Sequence, residues 1–419
     1  MTTPATARDG DMSEPSTVGG SRELTGSKHG RHTIGETFRD RANSLNLLRL
    51  VLAFLVVASH TIVLGGYGSE VILGKTTVGI VAVYGFFGIS GYLIASSAIR
   101  HSLGRYLWQR VLRIFPGFWV CLIVTAFLFG LVAWYHGTPR CGFSCYLHAR
   151  NGPLAYIARN SWLKLNQHPI AGTPRGVPVP GTWDGSLWSL FYEFLCYLVL
   201  AALAVTRLLR RRLLIAALAA GVWIAEVVVT SVPSLNARFN LFTHYDAMLM
   251  LQLLPIFLTG SLLYLYRDRI YDNGWLVLGC VVLIVASLGI PLGNGVPGLT
   301  LTSTNLVAPF LAYVMIWLGI HLPWHWIGSS NDYSYGVYIY AFPVSQLLAI
   351  WGLYRWGYVP FLVATAVGTL PFAAASWWLV ERRALRLKRL TLRPMLKESS
   401  PTQASRGAVT ASATTAVPD

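Results

Sequence analysis

An arginine and a histidine sit inside the first apolar run of the chain, LLRLVLAFLVVASHTIVL. Ten residues, nearly all apolar, separate Arg49 from His60. In a bilayer that arrangement is costly. A charged side chain near mid-bilayer costs on the order of 3 kcal/mol on insertion scales, so such groups usually mark function. Eleven helical steps of about 100° return to nearly the same face, roughly 16 Å further along the axis. Arg49 and His60 therefore share one stripe, three turns apart, and that stripe is expected to face a polar interior rather than lipid.

The rest of the chain fits a membrane setting. Of its 419 residues, 54% are hydrophobic and 12% charged, against about 25% charged in a soluble domain. Apolar runs of about 20 residues, the length needed to cross a bilayer, recur along it. The expected fold class is an all-α polytopic membrane protein with about ten transmembrane helices, near 45–65, 77–99, 114–135, 186–206, 213–232, 246–266, 274–290, 306–322, 334–352 and 361–380. Residues 1–43, rich in Ser, Thr and Gly, read as a disordered cytoplasmic tail. Residues 44–381 form the transmembrane domain, 382–399 a basic cytoplasmic segment suited to anionic headgroups, and 400–419 a second disordered tail. With the N-terminus inside, seventeen Lys and Arg fall in inner segments and eight in outer ones. The excess of basic residues inside places both termini in the cytoplasm of a multi-pass protein of the cell inner (plasma) membrane.

The net charge of +16 sits in short segments between spans, with no aromatic-basic motif or DNA-reading helix. Membrane lipids, not nucleic acid, are the expected partner. The five cysteines lack metal-site spacing, and no metal is expected. Cys121, Cys196 and Cys280 lie in apolar runs and read as small core residues. Cys141 and Cys145 share a polar loop, where a local disulfide and two free thiols are both open.

Three further groups carry chemistry. Arg110 and Arg113, in RYLWQRVLRIFPGFW, are three apart and share a helix face. They are either positive-inside anchors or a clamp for a phosphorylated ligand, since guanidinium groups bind phosphate oxygens in pairs. Ser186, Ser189 and Glu193 recur at i, i+3, i+7 and form a polar stripe. Glu193 needs a partner, either a cation such as Arg49 or a network of hydroxyls. Arg49 and His60 have bland readings too: an arginine snorkelling to the interface and a histidine in a helix–helix hydrogen bond. The Gly-, Pro- and aromatic-rich connection from His136 to Trp183 reads either as a plain loop or as a lid that binds an acceptor.

Taken in order, six phrases resemble the acyltransferase 3 family of integral membrane O-acyltransferases. They are Arg-x10-His at Arg49 and His60, GFFGISGYLI at 85–94, RVLRIFP at 110–116, SLWSLFYEF at 186–194, SYGVYIYAFP at 334–343 and SWWLVERRALRLK at 376–388. The resemblance implies a core of about ten helices and a membrane acyltransferase domain over residues 44–381. It implies an acyl-coenzyme A cosubstrate, acetyl-coenzyme A by default, and a hydroxyl acceptor on a glycan or glycosylated small molecule, commonly at the cell surface. It casts His60 as catalytic, with Arg49, Arg110 and Arg113 important for activity. Many relatives carry a histidine in the ninth span where this chain has Ala341, so no second histidine acts there. On this reading the donor meets Arg110 and Arg113, its pantetheine arm passes Arg49, and the acyl group reaches His60, with Ser189 and Glu193 in support. The alternative is a transporter or flippase for a lipid-linked glycan, with the same polar residues lining a pathway.

Overall fold

The computed structural model describes residues 32–40, 42–73, 76–137, 141–242, 245–289 and 303–389. The chain is mostly helical: α1 Leu45–Leu64, α2 Val78–Arg100, α3 Leu103–His136, α4 Trp188–Val205, α5 Arg212–Ser231, α6 Tyr245–Leu265, α7 Gly274–Gly289, α8 Ser303–His321, α9 Ser334–Ile350 and α10 Tyr358–Arg386. Seven of these, α1 to α6 and α10, are long and apolar enough to cross a membrane. The stretches of α7, α8 and α9 that lie where three more spans were expected are shorter apolar helices, under 18 residues each. At 1.5 Å per residue the 17-residue α9 is about 26 Å long. Its run from Ser334 to Gln346 is wholly buried, so α9 is a core helix wrapped by its neighbours.

Among the described residues two π turns interrupt long helices, at Thr125–Phe129 in α3 and at Ser376–Glu381 in α10. A π turn adds a residue to one turn and re-aims the face beyond it. In α10 that turn brings Glu381 beside Arg113 of α3, 3.9 Å from its Nη1.

Close backbone contact locks α2 to α6. A Cβ at Gly91 would lie 2.0 Å from the Phe257 carbonyl oxygen, and one at Gly260 would lie 2.1 Å from that of Gly88. Ser261 on α6 donates its hydroxyl to the Gly91 carbonyl at 3.1 Å. Small residues let membrane helices approach this closely. Gly91→Val forces backbone apart rather than a side chain aside. It is expected to cost about 1–3 kcal/mol or more, read as a lower melting temperature and lower accumulation of the purified protein.

Part of the stretch read as a disordered tail is ordered. Thr33 and Glu36 cap a one-turn helix, Ile34–Thr37, in a reciprocal capping box. Ile34 is fully buried, and its N–H donates to the Ile270 carbonyl at 2.9 Å. The cause is one apolar residue behind a good cap, a signal too short to show as periodicity. Residues 1–31, most of that tail, lie outside the described residues. So do 390–399 of the basic segment and all of 400–419; residues 382–389 continue α10 and end in a 3₁₀ turn.

The connection from α3 to α4 is fixed at several points. It carries short helices at Phe143–His148 and Pro153–Asn160. Tyr146, Tyr156 and Trp183 are fully buried. Gln346 of α9 donates its amide to the carbonyls of Val179 and Thr182 at 2.8 and 2.7 Å. Of the two cysteine readings the structure takes the disulfide, joining Cys141 to Cys145. Cys121, Cys196 and Cys280 are free and buried.

Candidate active site

Arg49 and His60 both face α9. Ser334, Tyr338 and Phe342 recur on α9 every four residues and form a stripe facing theirs. Ser334 sits at the Arg49 end, and Phe342 meets the His60 ring edge-on at 5.6 Å between centroids. The two stripes define a basic end and a histidine end.

At the basic end a carboxylate that composition does not reveal gathers the arginines. Asp332, two residues before α9, accepts from Arg49 Nη1 at 2.8 Å and from Arg113 Nη2. Its other oxygen accepts from the Ser334 hydroxyl at 2.5 Å and the Ser334 N–H at 3.2 Å. Burial pushes the Asp332 carboxyl upward, but Arg49 and Arg113 outweigh it and hold the group well below the usual carboxylate range. Arg110 lies over the Tyr197 ring, 5.8 Å from its centroid, and its Nε is buried without a hydrogen-bond partner. Arg49, Arg110, Arg113 and Asp332 line one cavity of about 310 Å³, together with Trp377 and Lys388 of the α10 region. The three arginines singled out in the sequence thus converge on one space. Arg110 and Arg113 are not a matched pair in it, because Arg113 is held by Asp332.

A second, narrower pocket of about 30 Å³ is lined by Arg49, Phe86, Phe87, Ser189, Glu193 and Tyr338. It has room for one or two waters. Arg49 lines both spaces. Of the two partners expected for Glu193, the structure supplies the hydroxyls: Ser90 donates at 2.9 Å and Tyr197 at 2.5 Å. Ser189 bonds to the Tyr338 hydroxyl at 2.6 Å, and Tyr338 donates to the Ser186 carbonyl at 2.6 Å.

At the histidine end a hairpin turns the chain back over α1. Ile72–Leu73 pairs antiparallel with Thr76–Thr77, and Thr77 caps α2 by accepting from the Ile80 N–H. Glu70, just before the hairpin, lies 2.9 Å from His60 Nδ1 through one oxygen. Its other oxygen accepts from the Ser59 hydroxyl at 2.8 Å. Ser59 in turn accepts from the Gly79 N–H at 3.2 Å, tying the group to α2. The hydrogen bond from His60, opposed by burial, holds Glu70 down to about 2. Glu70 is therefore ionised at neutral pH and can only accept. Nδ1 therefore carries a proton toward it, and in the neutral tautomer of the ring the lone pair lies on Nε2.

Sequence reasoning missed Glu70, Asp332 and Lys388. Glu70 had a signal: it is the one acidic residue between His60 and α2. Asp332 had a weaker one, since Asn-Asp-Tyr-Ser opens a helix in the manner of an N-cap. Its pairing with Arg49 crosses 283 positions, which no local pattern encodes.

Comparison with known proteins identifies the family. An O-acetyl transferase of Shigella phage Sf6 is 31% identical over 348 residues, 82% of this chain and 96% of the relative. Nodulation protein 10 of Rhizobium leguminosarum bv. viciae is 28% identical over 368 residues, 83% of this chain and 94% of the relative. No solved structure matches the chain. The acyltransferase 3 model, an acyltransferase domain, matches residues 42–378, a range that holds Arg49, His60, Arg110, Arg113 and Asp332 but ends before Glu381 and Lys388. The chain belongs to the acyltransferase 3 family and is a membrane acyltransferase.

Proposed function

We propose that the protein moves an acyl group, acetyl by default, from cytoplasmic acyl-coenzyme A to a hydroxyl of a carbohydrate acceptor on the outer side of the inner (plasma) membrane. The acceptor class is an extracytoplasmic polysaccharide or a lipid-linked sugar. The observation that carries this reading is the division of one helix between two chemistries. Arg49 of α1 lines a cavity rich in cations, and His60, three turns on, is oriented by an ionised carboxylate. The phage relative is named an O-acetyl transferase, which supports acetyl as the group moved.

In this mechanism the donor's phosphates lie in the basic cavity and its pantetheine arm runs past Arg49 toward His60. Neutral His60 takes the proton of the acceptor hydroxyl on Nε2. The hydroxyl oxygen attacks the thioester carbonyl, the C–S bond breaks, and the coenzyme A thiolate leaves. The imidazolium, stabilised by Glu70, returns its proton to the thiolate. A Glu–His pair with the outer nitrogen free is the arrangement that suits a general base, and it favours this scheme over acyl transfer onto the ring.

The test uses purified protein in lipid nanodiscs with radiolabelled acetyl-coenzyme A, with and without surface glycan extract. Label is expected on carbohydrate only when both are present, with a mass gain of one acetyl group. Absence of carbohydrate label in the complete reaction would sink the proposal. Label trapped on the protein without acceptor would replace the general base by an acyl-histidine.

A further inference from the structure

The basic cavity holds four cations that are not equivalent. Arg49 and Arg113 share Asp332, and Arg113 also lies near Glu381. Their charge is largely balanced within the protein. Arg110 and Lys388 line the same cavity, and among the described residues neither has a carboxylate within 4 Å. Glu193, which acts on Arg110 from further off, is held by the Ser90 and Tyr197 hydroxyls. Lys388 belongs to the 3₁₀ turn that ends the α10 region. In sequence it reads as part of a headgroup-binding segment; in the fold it turns inward, beyond the re-aiming π turn.

We infer that Lys388 and Arg110, not Arg110 and Arg113, form the phosphate-binding pair of the donor site. This rests on the acyl-coenzyme A reading above. The ligand chemistry is a phosphate dianion or pyrophosphate, whose two negative charges match two cations left unbalanced. Arg113 and Arg49 then act as a scaffold: Asp332 fixes their forks, and they shape the floor of the cavity. The buried, unpartnered Arg110 Nε is a donor waiting for an acceptor, since a buried N–H without a bond costs free energy.

Lys388 also gives the site a pH signature. Burial, then the charges of Arg113 and Arg110 on α3, push its ammonium down to about 8, with Asp332 opposing them. Arg49 of α1 is the remaining charged group lining the cavity. Below pH 8 Lys388 is cationic; above it the charge is lost. Donor affinity should therefore weaken as pH rises through 8.

The experiment measures initial rates of full-length protein in nanodiscs against acetyl-coenzyme A, from pH 6.5 to 9.5. Lys388→Gln is expected to raise KM for the donor about ten-fold, the size of one charge-assisted hydrogen bond, with a much smaller change in kcat. Lys388→Arg is expected to restore KM and abolish its rise above pH 8. Arg113→Gln, by contrast, is expected to lower the melting temperature. Unchanged KM in Lys388→Gln, with wild-type transfer intact, would overturn this assignment and leave the donor reading standing. Absence of wild-type transfer from acetyl-coenzyme A would overturn the donor reading itself. If a lipid phosphate occupies the pair instead, Lys388→Gln will change the dependence on anionic lipid in the nanodisc and not the donor KM, which also overturns the assignment.

Discussion

Replacing His60 by alanine is expected to lower acyl transfer by about three orders of magnitude while the protein still inserts and accumulates. General acid–base catalysis contributes roughly 10²- to 10⁴-fold, and neither α1 nor α9 carries a histidine besides His60. The variant should fold, because the loss leaves no orphaned charge. Glu70 keeps the Ser59 hydroxyl at 2.8 Å and about a fifth of its side chain remains exposed. Glu70→Gln removes the carboxylate that orients Nδ1 but leaves the ring, so its expected loss is smaller, about ten- to hundred-fold in kcat. The two changes act on one unit. The double variant should therefore be no slower than His60→Ala alone, since residues that work together are not additive. The depressed Glu70 fixes the pH behaviour on the acid side. Its carboxylate interaction is complete above the ordinary carboxylate value and is lost only as pH falls toward 2. Between pH 5 and 8 Glu70 therefore stays ionised and keeps its hold on the His60 ring. Initial rates of transfer across that range check both losses; near wild-type rates from His60→Ala would remove the histidine from the chemistry.

Much of this site was readable from residue order, and the parts that were not share a cause. Periodicity assigns a residue to a face, and it placed Arg49 and His60 on one stripe and Ser189 and Glu193 on another. Both stripes line the interior, as burial of polar groups in an apolar helix requires. Periodicity does not name the partner across the interface. Glu193 had two candidates, Arg49 and hydroxyls, and the choice depended on how far α1 stands from α4. Asp332 decided it by capturing Arg49 from a loop 283 residues away. The spacing of Arg110 and Arg113 correctly put them on one face, yet equal spacing implied equal roles, and only the neighbouring chain distinguishes a neutralised arginine from a free one. Lys388 was hidden because a basic segment after a last span reads as a headgroup anchor. The π turn before it, which re-aims the helix, has no signature in composition.

Asp332→Asn should be the most damaging single change at the basic end. It removes the one negative group between two partly buried guanidinium groups and leaves Arg49 and Arg113 facing each other. Their side chains are 19% and 15% exposed, so water screens them poorly. Removing one partner of a buried ion pair costs about 3–5 kcal/mol, which corresponds to a fall in melting temperature on the order of 10 °C. The pH dependence follows from the direction of the shift. A carboxyl held below its ordinary value contributes stability that is fully present above that value and is lost as pH falls through the folded one. The gap in melting temperature between wild type and Asp332→Asn should therefore be flat from pH 5 to 8 and close only in strong acid. Neither Arg110 nor Lys388 is paired with Asp332, so coenzyme A should still bind. Its phosphates should also offset the missing carboxylate, raising the melting temperature of the variant more than that of the wild type. Scanning fluorimetry in detergent, with and without coenzyme A, measures both effects. An Asp332→Asn protein as stable as wild type would mean that water or lipid already screens the two arginines, and that Asp332 does not organise the cavity.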